Sequence, residues 1–146
     1  MPAHLRRVNE PGHVHFWTIS CHRRLAFFHH DGIKTIVVAA LGRLQAKFGI
    51  CIVGYVVMPD HVHGIVWIEG DDDVKRESGR SRPGLTDVMS AFKSISARRA
   101  NAALGSAGRQ VWQRSFYDRV IRTERELLVA REYIVDNPMA FAIGGA

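Results

Sequence analysis

Hydrophobic positions along this chain switch between a period of two and a period of three to four, and each switch marks an element. From His13 to Cys21, the residues Val14, Phe16, Trp17, Thr18 and Ile19 follow Pro11-Gly12, a composition that favours a first strand. Ile33, Ile36, Val37, Ala40, Leu41, Leu44 and Phe48 then recur at helical steps, with Asp31 as the expected N-cap and Gly49 as the stop. Two β-branched runs, Ile50 to Met58 and His61 to Glu69, flank Pro59-Asp60. Only a tight β-hairpin fits so short a break.

Gly70 to Gly84 is polar, with mixed charges, Ser, Gly and Pro, and predicts a mobile loop. Leu85, Val88, Met89, Phe92 and Ile95 restore helical spacing, and this second helix should end near Leu104-Gly105. Val111 to Arg122 carries Trp112, Phe116, Tyr117, Val120 and Ile121 and predicts a fourth strand. Thr123 and Glu126 then form a T-x-x-E capping box. It opens a helix bearing Leu127, Leu128, Ala130, Ile134 and Val135, predicted to stop near Asn137 because Pro138 lacks an N–H donor. The order β-α-β-β-α-β-α is a ferredoxin-like α+β sandwich with one added C-terminal helix. We read residues 1–146 as one domain with a core of about 13–138.

Composition changes this picture in two respects. Lys and Arg number 20 against 14 Asp and Glu, a formal charge of +6, which favours a polyanionic partner, nucleic acid first. The longest apolar stretches, Ile36 to Leu41 and Ile50 to Met58, fall well short of the roughly 20 residues that span a bilayer. No membrane partner is expected. Cys21 and Cys51 form neither a CxxC motif nor a disulfide framework, so a cytoplasmic, nucleoid-associated setting is the simplest expectation.

His61 and His63 stand at i and i+2 of a predicted strand, on one face, where they can share a cation while Val62 points into a core. On the last helix Tyr133 and Asn137 are one turn apart and project about 40° from each other. If that flank meets the histidine strand, a divalent ion held by His61, His63 and the Asn137 carbonyl oxygen would act as a Lewis acid beside a tyrosine nucleophile. A phenol is protonated at neutral pH, so the metal or a cation such as Arg131 must favour its phenolate.

Three ordered motifs carry a resemblance. They are Val56-Val57-Met58-Pro59-Asp60-His61-Val62-His63, then Trp112-Gln113 with Phe116-Tyr117-Asp118-Arg119-Val120-Ile121-Arg122, then Glu132-Tyr133-Ile134-Val135-Asp136-Asn137-Pro138. Together they resemble the REP-associated tyrosine transposases, relatives of the single-tyrosine (Y1) transposases of the HUH class, over His13 to Pro138. The resemblance implies a single-strand DNA endonuclease and strand transferase, with Mg²⁺ or Mn²⁺ as cofactor, acting at hairpins of repetitive extragenic palindromes through a 5′-phosphotyrosine. It implies Tyr133 as nucleophile, His61 and His63 as metal ligands, and Asn137 as a third ligand. Family members act as monomers or as dimers, so either state is expected here.

The chain departs from the family in its short segment after Pro138, Met139 to Ala146, where many relatives continue with sequence that contacts DNA. That departure keeps a competing class open: a hairpin-binding module of the same fold that does not cleave. An RNA-processing metalloenzyme is the third reading. Arg23, Arg24, Lys93, Arg98, Arg99, Arg119 and Arg122 are candidate phosphate contacts, although basic residues on helices and turns are often only a solvated face. Tyr117 is the rival nucleophile, but a tyrosine on a strand more commonly packs in a core or stacks on substrate.

Overall fold

The computed structural model describes residues 13–68 and 84–144. Four strands, β1 (His13–Ser20), β2 (Cys51–Met58), β3 (His61–Ile68) and β4 (Tyr117–Ile121), form one sheet in the order β2-β3-β1-β4. Every neighbouring pair is antiparallel. The helices are α1 (Asp31–Phe48), α2 (Leu85–Leu104) and α3 (Glu124–Gly144). This is the expected ferredoxin-like α+β order with an additional C-terminal helix.

Strand alternation sends each apolar set to one of two cores. On one face Trp17, Ile19, Val62 and Val66 pack with Val37 and Leu44 of α1 and with Val88, Met89 and Phe92 of α2. On the other, Val14, Phe16, Val56, Met58, Ile65, Trp67 and Ile121 pack with Leu127, Ala130 and Ile134 of α3. The sheet is therefore covered on both sides, on the second by α3 among the described residues. Trp17 lies opposite Gly64 across β1 and β3, and its ring occupies the space where a Cβ at position 64 would sit. Glycine is required there by close approach.

The hairpin forms with Pro59-Asp60 as its turn, and the turn is tied to two single 3-10 turns, His22–Arg24 and Phe27–His29. The Cys21 N–H donates to the Asp60 carbonyl at 2.8 Å, and the Phe28 N–H to that of Pro59 at 3.0 Å. Cys21 is buried, which pushes its thiol up to about 12; it stays protonated and unreactive at neutral pH.

Three expected boundaries are corrected. The fourth strand begins at Tyr117, not Val111. Val111 and Trp112 are buried in the first core, while the carbonyls of Gln113, Arg114 and Ser115 all accept from Lys93 Nζ at 2.7–3.1 Å. Trp112 still makes a single antiparallel bridge with Cys21 at the end of β1, with the His22 N–H donating to the Val111 carbonyl at 2.8 Å and the Gln113 N–H to that of Ser20 at 2.9 Å. Beyond it the carbonyls turn to the lysine, and strand pairing stops until Tyr117. Asp31 is the first residue of α1, and the N-cap position belongs to His30, which makes no side-chain cap bond. Lastly, α3 continues through Pro138 to Gly144. A proline removes one helical donor, but Met139, Ala140 and Ala142 beyond it are good helix formers. The polar stretch expected to be a loop lies outside the described residues apart from Gly84, the N-cap of α2.

Gly64→Ala is expected to displace the Trp17 ring and destabilise the fold by about 1–3 kcal/mol, read as a lower urea midpoint at unchanged slope. An unchanged midpoint would mean that the ring has room to move.

Candidate active site

The histidine pair sits where the hairpin turn feeds β3. His61 and His63 share the α3 face with Phe16, Met58 and Ile65, whereas Val62 enters the opposite core. Their ring centroids are 4.6 Å apart. Each ring has its Nδ1 engaged. His61 Nδ1 donates to Asp60 Oδ1 at 2.6 Å, and His63 Nδ1 lies 2.7 Å from Thr18 Oγ1, directly across β1. With the proton on Nδ1 in both rings, Nε2 is the nitrogen left as a lone-pair donor.

Asp60 is itself held. Arg24 Nε lies 3.1 Å from Asp60 Oδ2, and Arg24 Nη1 donates to Ser20 Oγ at 3.0 Å. Burial opposes ionisation of Asp60, yet the His61 hydrogen bond and the Arg24 charge keep its carboxyl below the ordinary range. The result is a chain Arg24–Asp60–His61, an arrangement that fixes both tautomer and ring orientation.

The last helix brings the phenol. Thr123 Oγ1 accepts from the Glu126 N–H at 3.1 Å, and Glu126 Oε2 reaches back to the Arg122 N–H at 2.7 Å, so the capping motif starts α3 at the edge of β4. Burial of Leu127, Ala130 and Ile134 then lays the helix over β2 and β3. Tyr133, adjacent to Ile134, meets His63 edge-on with centroids 5.3 Å apart and Phe16 at 5.9 Å. Phe16 stacks on His63 at 5.5 Å. Tyr133 is 51% exposed.

Asn137 lies one turn further along α3, half-buried, and its Nδ2 is buried with no hydrogen-bond partner among the described residues. Among those residues no group of three or more His, Cys, Asp or Glu side chains is gathered that could hold a metal ion. Two imidazoles with their Nδ1 atoms engaged leave neutral Nε2 donors that fit a divalent ion. The Asn137 amide oxygen is a further neutral donor one turn beyond Tyr133 on α3, although the unpartnered atom there is the amide nitrogen, a hydrogen-bond donor that does not itself ligate a cation.

The seven candidate basic contacts divide by position. Arg24 stands beside Asp60, and the Arg119 guanidinium lies over the Phe16 ring at 5.2 Å; both belong to the site's surroundings. Arg23 and Arg122 are exposed, one next to Arg24 and the other just before α3. Lys93, Arg98 and Arg99 are carried by α2 on the opposite side of the sheet. The Lys93 ammonium is taken by the three carbonyls described above, and burial pushes its pKa down. Among the site's neighbours, sequence reasoning passed over Thr18, Phe16 and the positioning role of Asp60. Asp60 abuts His61 in the chain and was legible there, whereas Thr18 and Phe16 required the β1–β3 register.

A family model described as IS200-like transposase matches residues 10–137. In fold the chain is similar to a REP-associated tyrosine transposase bound to a REP hairpin. That likeness has 20% identity and a TM-score of 0.65, covering 87% of this chain and 67% of the other. It is also similar to the crystal structure of a candidate transposase from Deinococcus radiodurans, with 20% identity and a TM-score of 0.55, covering 84% and 88%. An uncharacterised protein of Haemophilus influenzae is 32% identical over 95 residues, 58% of this chain. The chain spans about half of that relative's length, 52%. Among the described residues no helix is long and apolar enough to cross a membrane.

Burial, then repulsion from His61 and Arg24, pushes the His63 imidazole down to about 4 from its ordinary 6.5. The unfolded chain takes up this proton near pH 6.5 and the folded chain only near pH 4, so stability present above pH 6.5 is lost as pH falls through that window. The loss is roughly 3 kcal/mol at full extent. Thermal melting of the metal-free protein is therefore expected to drop by several degrees across this range, with His63→Gln much flatter. Parallel profiles for the two proteins would refute the shift.

Proposed function

We propose, from the premise that this chain belongs to the IS200-like transposase family, that it nicks and rejoins single-stranded DNA beside hairpins through a 5′-phosphotyrosine on Tyr133. His61, His63 and Asn137 would hold Mg²⁺ or Mn²⁺. The observation that carries this reading is the contact of the Tyr133 ring with the His63 ring, centroids 5.3 Å apart. The likeness in fold to a transposase bound to a REP hairpin supports a DNA hairpin as partner, and the formal charge of +6 suits a polyanion.

Thr18 and Asp60 engage Nδ1 of the two imidazoles, so their Nε2 atoms, with the Asn137 amide oxygen, are the donors that would hold a divalent ion. A bound divalent ion supplies Lewis acidity at a phosphate oxygen and lowers the cost of phenolate formation beside it. Tyr133 Oη forms a bond to phosphorus while the bond from phosphorus to the 3′ oxygen breaks. The phenolic proton leaves to solvent, and the released 3′ oxygen takes one up. Because one phosphate ester replaces another, the reverse attack by a 3′-hydroxyl rejoins strands without a nucleotide cofactor. Two nitrogen donors suit Mn²⁺ better than Mg²⁺, so tighter binding of Mn²⁺ follows from the ligand set.

Incubation of the wild-type protein with a labelled REP-type hairpin and Mn²⁺ is expected to give a covalent adduct stable to denaturing electrophoresis. Tyr133→Phe should lose adduct and cleavage by on the order of 10³-fold or more while keeping hairpin affinity. His61→Ala and His63→Ala should weaken Mn²⁺ binding measured by calorimetry. Cleavage by Tyr133→Phe at the wild-type rate would sink the assignment, and wild-type binding with no adduct would favour the non-cleaving module.

A further inference from the structure

Beyond His63, the row of side chains on the α3 face continues across the sheet. Register places Val56, His63, Thr18 and Tyr117 side by side on β2, β3, β1 and β4, and the next row holds Ile65, Phe16 and Arg119. Directly paired residues share a face, so Tyr117 and Arg119 lie on the catalytic side. Helix α3 packs over β2 and β3 and leaves Tyr117 60% exposed, two strand spacings or about 10 Å from His63. Alternation sends the intervening Asp118 to the other face, where its carboxylate lies 3.9 Å from His15 Nδ1, so the strip carries the Arg119 charge without an acidic neighbour from β4.

We propose that Tyr117 and Arg119 form a nucleotide subsite, in which the Tyr117 ring stacks one unpaired base of the single strand flanking the hairpin and Arg119 pairs with its phosphate. This rests on the function proposed above and adds to it where the substrate strand runs: across β4, away from α3. An exposed aromatic ring beside a guanidinium on an open sheet surface is the platform on which single-stranded nucleic acid stacks. Continuity with the Tyr133 site selects this occupant over others. A phenol placed there for packing would be covered, and this one is not.

The test uses the full chain carrying Tyr133→Phe, so that binding is read without cleavage. Affinities by fluorescence anisotropy are compared for a flush hairpin, a hairpin with single-stranded flanks, and the flanked hairpin with abasic sites introduced one at a time. Adding Tyr117→Ala should weaken the flanked hairpin at least about 5-fold. It should leave the flush hairpin unaffected, and its effect should vanish when the stacked base is the abasic one. Tyr117→Trp should restore affinity, and Arg119→Gln should reduce the salt dependence of flanked binding by about one phosphate contact. Equal loss on flush and flanked hairpins, or no loss on either, overturns the proposal. A change in sedimentation of the DNA-free protein on Tyr117→Ala would assign the face to a second copy of this chain and also overturn it. If the parent protein binds neither hairpin, the proposed function itself falls, an outcome distinct from binding that ignores Tyr117.

Discussion

Everything at the site depends on the apolar stripe of α3 being buried on the second face of the sheet. Leu127, Ala130 and Ile134 are almost fully buried there, and the two branched side chains alone are worth about 3–6 kcal/mol gross. The contacts Tyr133 makes for itself are weaker, two edge-on ring pairs of about 0.5–1.5 kcal/mol each. The phenol is therefore delivered by its neighbour. Ile134 seats the helix, and Tyr133, one position earlier, is set on the flank nearest His63. This separation leaves the phenol half-exposed without loosening the helix that carries it.

A second constraint acts from the hairpin turn. Arg23 and Arg24 both adopt left-handed backbone, with φ of 54° and 56°, a conformation that costs a non-glycine residue roughly 1–2 kcal/mol. The geometry turns the chain sharply out of β1 so that the Arg24 guanidinium meets both Ser20 and Asp60. The strained pair is matched by charge-assisted hydrogen bonds, and their effect is to orient His61. Backbone strain, carboxylate and imidazole form one connected unit, anchored further by the carbonyls of Pro59 and Asp60 accepting from Phe28 and Cys21.

What the sequence disclosed follows from how local each feature is. The hairpin and its paired imidazoles occupy neighbouring positions, so turn chemistry and strand period were enough to place them. Tyr133 and Asn137 were legible as one helix flank, but their approach to His63 depends on which sheet face α3 covers, a long-range outcome that no spacing encodes. The fourth strand is shorter than its composition predicts because Val111 and Trp112 meet the end of β1 only through the single Cys21–Trp112 bridge, after which the carbonyls turn to Lys93. Pro138 misled in the opposite direction: a missing donor is a local signal, and the helix-forming residues after it outweighed it. The seven basic residues were indistinguishable as a list. Register and helix position separate Arg24 and Arg119 from Lys93, Arg98 and Arg99.

The site sits at the seam where α3 stops covering the sheet, and burial changes steeply across it. His63 is 7% exposed, Tyr133 51% and Tyr117 60%. The dry end would suit His63 as the proposed metal ligand, since desolvation keeps it neutral and its lone pair available where a solvated imidazole begins to protonate. The open end would suit Tyr133 as the proposed nucleophile, because a buried phenol would admit no strand. The edge of one helix supplies both conditions within a single ring contact. A longer cover by α3 across β1 and β4 would bury Tyr117 and close the proposed path of the strand; a shorter one would wet His63 and favour its protonation.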